Sequence, residues 1–150
     1  MSAPFSRQFV ARWADMDFNA HMANTAYLNF AADLRFTFFQ EHGFPVSEFN
    51  RLRIGPVVFR DEVDYYREFR LLESVTVTLQ LEALSDDGSR FKLRNEFFKA
   101  SGDLAARVIS HGAWLDLTAR KLTVPPPALT AALARLGRSD SFTVLGANGP

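Results

Sequence analysis

The fold turns on the stretch Asn24-Thr25-Ala26-Tyr27-Leu28-Asn29-Phe30-Ala31-Ala32-Asp33-Leu34-Arg35-Phe36-Thr37-Phe38-Phe39-Gln40-Glu41-His42. Tyr27, Phe30, Ala31, Leu34 and Phe38 recur at helical spacing and form a broad apolar stripe. Phe36 and Phe39 add aromatic bulk on other faces, so the helix is expected to be covered on more than one side. Asn24 suits the N-cap, Gly43 a C-terminal stop, and Pro45 prevents simple continuation.

On either side of this helix the periodicity changes from helical to alternating. Residues 8–14 read as a first strand, and a polar loop from Asp15 to Ala23 joins it to the helix. Beyond the helix, residues 56–68 are strand-like. Residues 74–83 place Val75, Val77, Leu79 and Leu81 on one face and Thr76, Thr78, Gln80 and Glu82 on the other. Ser85-Asp86-Asp87-Gly88 is a hairpin turn, residues 90–98 alternate again, and residues 105–117 make a long last strand. Pro125-Pro126-Pro127 breaks the chain; a short helix is expected over 128–136 and a loose tail from Gly137. Strands joined mostly by tight turns pair antiparallel, and one apolar helix and one apolar sheet face must cover each other. The expected class is α+β: a curved antiparallel five-stranded sheet wrapped around a long central helix, the hot-dog arrangement. We expect one domain over residues 1–150, with its core at about 6–120 and a C-terminal extension at 121–150.

Composition narrows the function classes. Lys+Arg and Asp+Glu number 17 each, so no net field draws the chain to nucleic acid or to an anionic membrane. No apolar run approaches the roughly 20 residues of a membrane helix, and Met1 to Arg7 hold no apolar signal segment, which points to a cytoplasmic protein. Without cysteine there is no disulfide, thiolate metal site or cysteine nucleophile. Phe is used 15 times, which fits a thick core, an apolar pocket, or both.

Two carboxylates, an imidazole and two amides fall between the first strand and the helix, over Asp15-Met16-Asp17-Phe18-Asn19-Ala20-His21-Met22-Ala23-Asn24. A helix start offers unpaired N–H groups and the positive end of the helix dipole, a setting for a developing oxyanion. A carboxylate beside it suits acyl transfer or hydrolysis. By residue type alone, Asp15 and Asp17 also suit a solvated loop, and Asn19 and Asn24 a turn and a cap. Asp15-x-Asp17-x-Asn19 opens like a calcium loop, but Ala20 and Ala26 stand where Gly and Glu would be needed, so no metal site is expected.

Asp17-Phe18-Asn19-Ala20-His21-Met22-Ala23-Asn24 resembles the Asp-x-x-Gly-His-Val-Asn-Asn signature of 4-hydroxybenzoyl-CoA-thioesterase-like hot-dog proteins. It stands in the same place, between first strand and central helix, and Tyr27-Leu28-Asn29-Phe30 followed by Arg35 resembles that family's helix. Ala20 replaces the usual Gly and Ala23 the usual Asn. The resemblance implies an acyl-CoA thioesterase that needs no cofactor. Asp17 takes the family's catalytic position, as nucleophile or as general base on water. The backbone N–H of Asn24 takes the oxyanion position, and His21 a loop-shaping or substrate-facing one. It further implies a homodimer or a dimer of dimers, with the acyl group entering at the subunit interface. Phe18, Tyr27, Phe30 and Phe59 are possible pocket walls, or ordinary core residues. Arg90, Lys92 and Arg94 form a stripe able to meet the phosphates of coenzyme A, or a solvated strand face. A non-catalytic acyl-CoA or acyl-carrier-protein binding module is the alternative reading.

Overall fold

The computed structural model describes residues 3–146; residues 1–2 and 147–150, the first two of the chain and the last four of the expected extension, lie outside it. In chain order the elements are β1 (Phe5–Val10), α1 (Asn24–Glu41), α2 (Val46–Leu52), β2 (Ile54–Tyr65), β3 (Ser74–Ser85), β4 (Arg90–Phe98), β5 (Leu104–Asp116), β6 (Lys121–Leu122), α3 (Pro127–Ala134) and β7 (Arg138–Leu145). The five expected strands form an antiparallel sheet in the order β1-β3-β4-β5-β2. Register shifts at Val58/Arg60 in β2 and Leu81/Ala83 in β3 mark bulges, which bend strands and so help the sheet to curve.

The α1 stripe behaves as its spacing predicts: Tyr27, Phe30, Ala31, Leu34 and Phe38 are all buried, and so is Phe39. Its rings reach across the sheet. Phe30 meets Phe9 of β1, Tyr27 meets Phe97 of β4, and Phe39 meets Trp114 of β5. Gly43 adopts φ 89° after α1, and Pro45 becomes the N-cap of α2, accepting the N–H bonds of Glu48 and Phe49. Alternation and helical spacing gave no sign of α2, which is only seven residues long. Phe49 anchors it, packing edge-on against Phe36, Phe39 and Phe44.

Three expectations are corrected. The first strand ends at Val10, because Trp13–Asp15 turns as a 3-10 segment whose Asp15 carboxylate accepts the backbone N–H of Arg12. The helix N-cap is Ala23, in extended geometry (φ −63°, ψ 147°), so Asn24 is the first helical residue. The tail past Gly137 is strand β7, parallel to β3, occupying Leu81–Ser85 beyond the point where β1 stops at Leu79. Ion pairing rather than apolar alternation holds β7: buried Arg94 donates to Glu82 (3.0 Å) and to Asp140 (3.1 Å), and also to Ser141. Strand β6 adds a short pairing to β5. Among the described residues no helix is long and apolar enough to cross a membrane.

Candidate functional site

The loop from Asp15 to Ala23 is a small hairpin-like structure. The Ala23 N–H donates to the Asp15 carbonyl (2.7 Å) and the Asp17 N–H to the His21 carbonyl (2.8 Å), with Met16 and Met22 bridged between them. The Met22 N–H donates to the Phe69 carbonyl (2.8 Å), tying the loop to the segment before β3. His21 is pinned from the same segment, its Nε2 lying 2.8 Å from Glu68 Oε2.

Asp17 divides its two carboxylate oxygens between structure and solvent. Oδ1 accepts the N–H of Asn19 (2.8 Å) and of His21 (3.2 Å), a side-chain-to-backbone turn that fixes the carboxylate's direction. Oδ2 has no hydrogen-bond partner among the described residues. The turn requires Ala20 to adopt φ 63°, the left-handed region where a side chain is unfavourable. We expect Ala20→Gly to be neutral to stabilising, by up to about 1 kcal/mol, because relief of this strain outweighs the extra freedom given to the unfolded chain. A fall in Tm on this substitution would show that the loop is not strained there.

Helix α1 begins beside this loop. Because Ala23 has no side-chain acceptor, nothing caps the helix, and the Asn24 and Thr25 N–H groups have no acceptor among the described residues. The Asn24 side chain is exposed, so its contribution at this point is its main chain. Its carbonyl accepts from the Tyr65 hydroxyl (3.2 Å) at the end of β2. Tyr27 lies one turn further on, packed against Tyr65, Phe69 and Phe97. Burial, with added repulsion from Tyr65, Glu68 and Asp17, pushes its hydroxyl up to about 12, so it stays protonated at physiological pH.

An open depression of about 390 Å³ lies on the outer side of the loop, lined by Trp13, Met16, Asp17, Phe18, Ala20 and Leu71. Asp17 is its one charged lining residue. Trp13 and Phe18 are exposed, Phe18 fully so. The expected site residues therefore separate into groups. Asp17, Phe18 and His21 lie in the loop, and the main chain of Asn24 follows it at the helix start. Tyr27 lies just behind, and Phe30 is buried on Phe9 in the core. Phe59 is exposed on β2, at the bulge. Arg90 and Lys92 project from the face of β4 opposite Phe91 and Leu93, and Arg90 stands at the far end of β4 from Phe97, which touches Tyr27. Within one chain they do not converge with Asp17. Trp13, Met16 and Leu71 were missed as lining residues. Met16 sits inside the segment from Asp15 to Asn24 and Trp13 two residues before it, but only the turn geometry brings them to the depression, and Leu71 comes from a distant segment. Among the described residues no three histidine or acidic side chains gather into a metal-ligating group.

The sequence matches the family model described as the thioesterase-like superfamily over residues 11–133. Comparison with curated protein sequences returns no match. Among solved structures, a Staphylococcus aureus protein determined in complex with CoA superposes with a TM-score of 0.80 at 22% identity, covering 88% of this chain and 82% of that one. The 1,4-dihydroxy-2-naphthoyl-CoA thioesterase of Synechocystis gives 0.79 at 17% identity, covering 89% and 98%. A gentisyl-coenzyme A thioesterase gives 0.76 at 19%, covering 86% and 99%. At these identities the structures testify to the fold, and the family match covers the loop, the central helix and all five strands of the main sheet except β1: this chain belongs to the thioesterase-like superfamily and has the hot-dog fold.

Proposed function

We propose that the protein is an acyl-CoA thioesterase, hydrolysing a thioester to a free carboxylic acid and CoA. The observation that carries this reading is the arrangement of Asp17: one oxygen is held by two backbone N–H groups, and the residue lines a largely apolar depression in the loop that leads into an uncapped helix start. In the first step Asp17 acts on the thioester carbonyl carbon, either directly through Oδ2 or by taking a proton from water that attacks it. The carbonyl oxygen becomes an oxyanion, which the Asn24 N–H receives, and its collapse breaks the C–S bond and releases CoA. After direct attack the acyl group stays on Oδ2 as a mixed anhydride that water then opens to the acid, freeing Asp17; in the water route the proton taken by Asp17 leaves with the CoA sulfur. His21, tied to Glu68, holds the loop rather than moving a proton. The CoA-bound solved neighbour supports CoA as the leaving group. Phe18 and the depression around it offer apolar surface to the acyl group, with Tyr27 behind; Phe30 supports that wall from within the core.

The active unit in this reading is at least a homodimer. β2 pairs with β5 along one side only, and its exposed Val58, Phe59 and Tyr65 lie along a strand of twelve residues whose other edge has no partner among the described residues. Long apolar edges are normally covered, and a second copy would cover this one. It would also bring Phe59, and with a dimer of dimers Arg90 and Lys92, toward a neighbour's site. Sizing at micromolar concentration is expected to show a dimer or larger; a monomer removes this part of the proposal.

The direct test is CoA release from a panel of aromatic, short-chain and medium-chain acyl-CoAs. At least one is expected to turn over. The competing reading, a non-catalytic acyl-CoA or acyl-carrier-protein binding module, draws on Ala20 and Ala23 replacing two motif residues. Saturable binding across the panel without release of CoA would favour it.

A further inference from the structure

Helix α1 starts with two free peptide N–H groups, and only that of Asn24 has a part in the reaction proposed above. The other, on Thr25, is left open by the residue before the helix. A capping side chain normally accepts the N–H of the second or third helical residue. Here the third, Ala26, already donates to the Ala23 carbonyl (3.0 Å), so the second, Thr25, is the donor a cap would take. Ala23 has the extended backbone of a capping residue (φ −63°, ψ 147°) but no side-chain acceptor. In the motif that this segment resembles, asparagine stands at that position and carries one.

The Thr25 N–H is also held from its other end. It belongs to the same peptide unit as the Asn24 carbonyl, and that carbonyl accepts from the Tyr65 hydroxyl (3.2 Å). In a trans peptide the carbonyl and the N–H point opposite ways, so a donor on the carbonyl fixes the plane and strengthens the N–H as a donor. Tyr65 is itself braced, its ring standing edge-on to Tyr27 with centroids 5.1 Å apart. Burial raises the Tyr65 hydroxyl above its ordinary pKa, so it keeps its proton at neutral pH. One more unused donor belongs to the same turn of helix. Tyr27 is 3% exposed, its hydroxyl has no partner among the described residues, and it lies near enough to Glu68 and Asp17 to feel their charges. A buried hydroxyl normally has a partner, so this end of α1 is short of an acceptor, which is what a ligand oxygen supplies.

We propose that the Thr25 N–H is a second oxyanion donor beside that of Asn24, opened by Ala23 and positioned by Tyr65. Neighbouring N–H groups of a first helical turn point the same way and take one anionic oxygen together. This role rests on the thioesterase reading and sharpens it, since Ala23 then adds a donor to the site instead of marking a lost one. Tyr65 acts through the peptide it holds and is a positioning residue, not a catalytic one.

Ala23→Asn supplies the missing acceptor, and its two readouts should move in opposite directions. Tm is expected to rise by about 3 °C. The kcat for CoA release is expected to fall about tenfold with KM unchanged, because the donor acts on the oxyanion and not on the bound thioester. Ala23→Ser gives the same pair of results on a shorter arm if the asparagine variant fails to fold. Tyr65→Phe keeps the ring and loses the hydroxyl, and its kcat is expected to fall about fivefold, again with KM unchanged. The double variant Ala23→Asn/Tyr65→Phe should lose no more than Ala23→Asn alone, since Tyr65 has no open N–H left to act through. Unchanged kcat in both Ala23 variants, a kcat loss that comes only with a lower Tm, unchanged kcat in Tyr65→Phe, or losses that multiply in the double variant would each overturn the proposal. If the wild type releases CoA from no member of the acyl-CoA panel, the thioesterase reading fails, and the donors are read by infrared spectroscopy of bound acetonyl-CoA, a ketone that water cannot cleave. Its carbonyl stretch is expected at higher frequency in Ala23→Asn and in Tyr65→Phe than in the wild type. Equal stretches in all three proteins, or no binding of the ketone, overturn the second donor as well.

Discussion

Asp17→Asn should lower CoA release by roughly 10²–10⁴-fold while leaving the loop folded. Asparagine keeps an oxygen where Oδ1 accepts the Asn19 and His21 N–H groups, so the turn survives, and what disappears is the negative charge at Oδ2. A neutral amide neither attacks a thioester carbonyl nor takes a proton from water. Asp17→Ala loses the same activity and also the two backbone acceptors, so its Tm should fall below that of the asparagine variant, by the few degrees that about 1 kcal/mol represents in a chain of this size. The pair separates a chemical role from a structural one. Equal turnover by wild type and Asp17→Asn would take Asp17 out of the mechanism. Equal melting of the two variants would show that Oδ1 does not hold the loop.

The largest expected effect on stability is at Arg94. Its guanidinium is buried and joins three partners, Glu82 on β3 and Asp140 and Ser141 on β7. Glu82 also accepts from the Ser139 and Ser141 hydroxyls. Arg94→Met keeps an apolar stem of similar length but leaves the largely buried Glu82 carboxylate without its cation. Removing one member of a buried pair costs about 3 kcal/mol, on the order of 10 °C in Tm. Most of this is the penalty on the abandoned Glu82 charge, so adding Glu82→Gln should recover at least about 1 kcal/mol. Asp140 contributes little to the loss, since its side chain is 80% exposed and water screens it. A loss below about 1 kcal/mol for Arg94→Met would mean that β7 is held by its backbone pairing alone.

What the amino-acid sequence made legible follows from where periodicity speaks. The central helix carries five stripe residues over three turns, and all five are buried. Strand β4 matches its expected bounds at both ends because Arg90, Lys92, Arg94 and Glu96 alternate with Phe91, Leu93 and Phe97. Strand β7 was invisible for the opposite reason. Arg138-Ser139-Asp140-Ser141 shows no alternation of apolar and polar residues, and its place depends on Arg94, 46 positions before Asp140. Helix α2 was hidden by Pro45, which reads as a stop and serves as a cap. In the site, the residue types of the Asp17 loop were readable, but the choice between Ala23 and Asn24 as N-cap depends on backbone angles that Asn24 suits chemically and Ala23 adopts.

The parallel docking of β7 bears on how safely this chain folds. Once β1 through β5 have assembled, the backbone of Leu81–Ser85 is still unsatisfied on one side, because β1 stops short of it. An intermediate of that kind can recruit a second molecule through the same open ladder and begin to clump. Docking of residues 138–145 closes the ladder and sets Arg138, Asp140 and Thr143, all solvent-facing, at the rim. The strand that lies furthest from the Asp17 loop in sequence thus acts as an internal guard against misassociation, independent of any catalytic task.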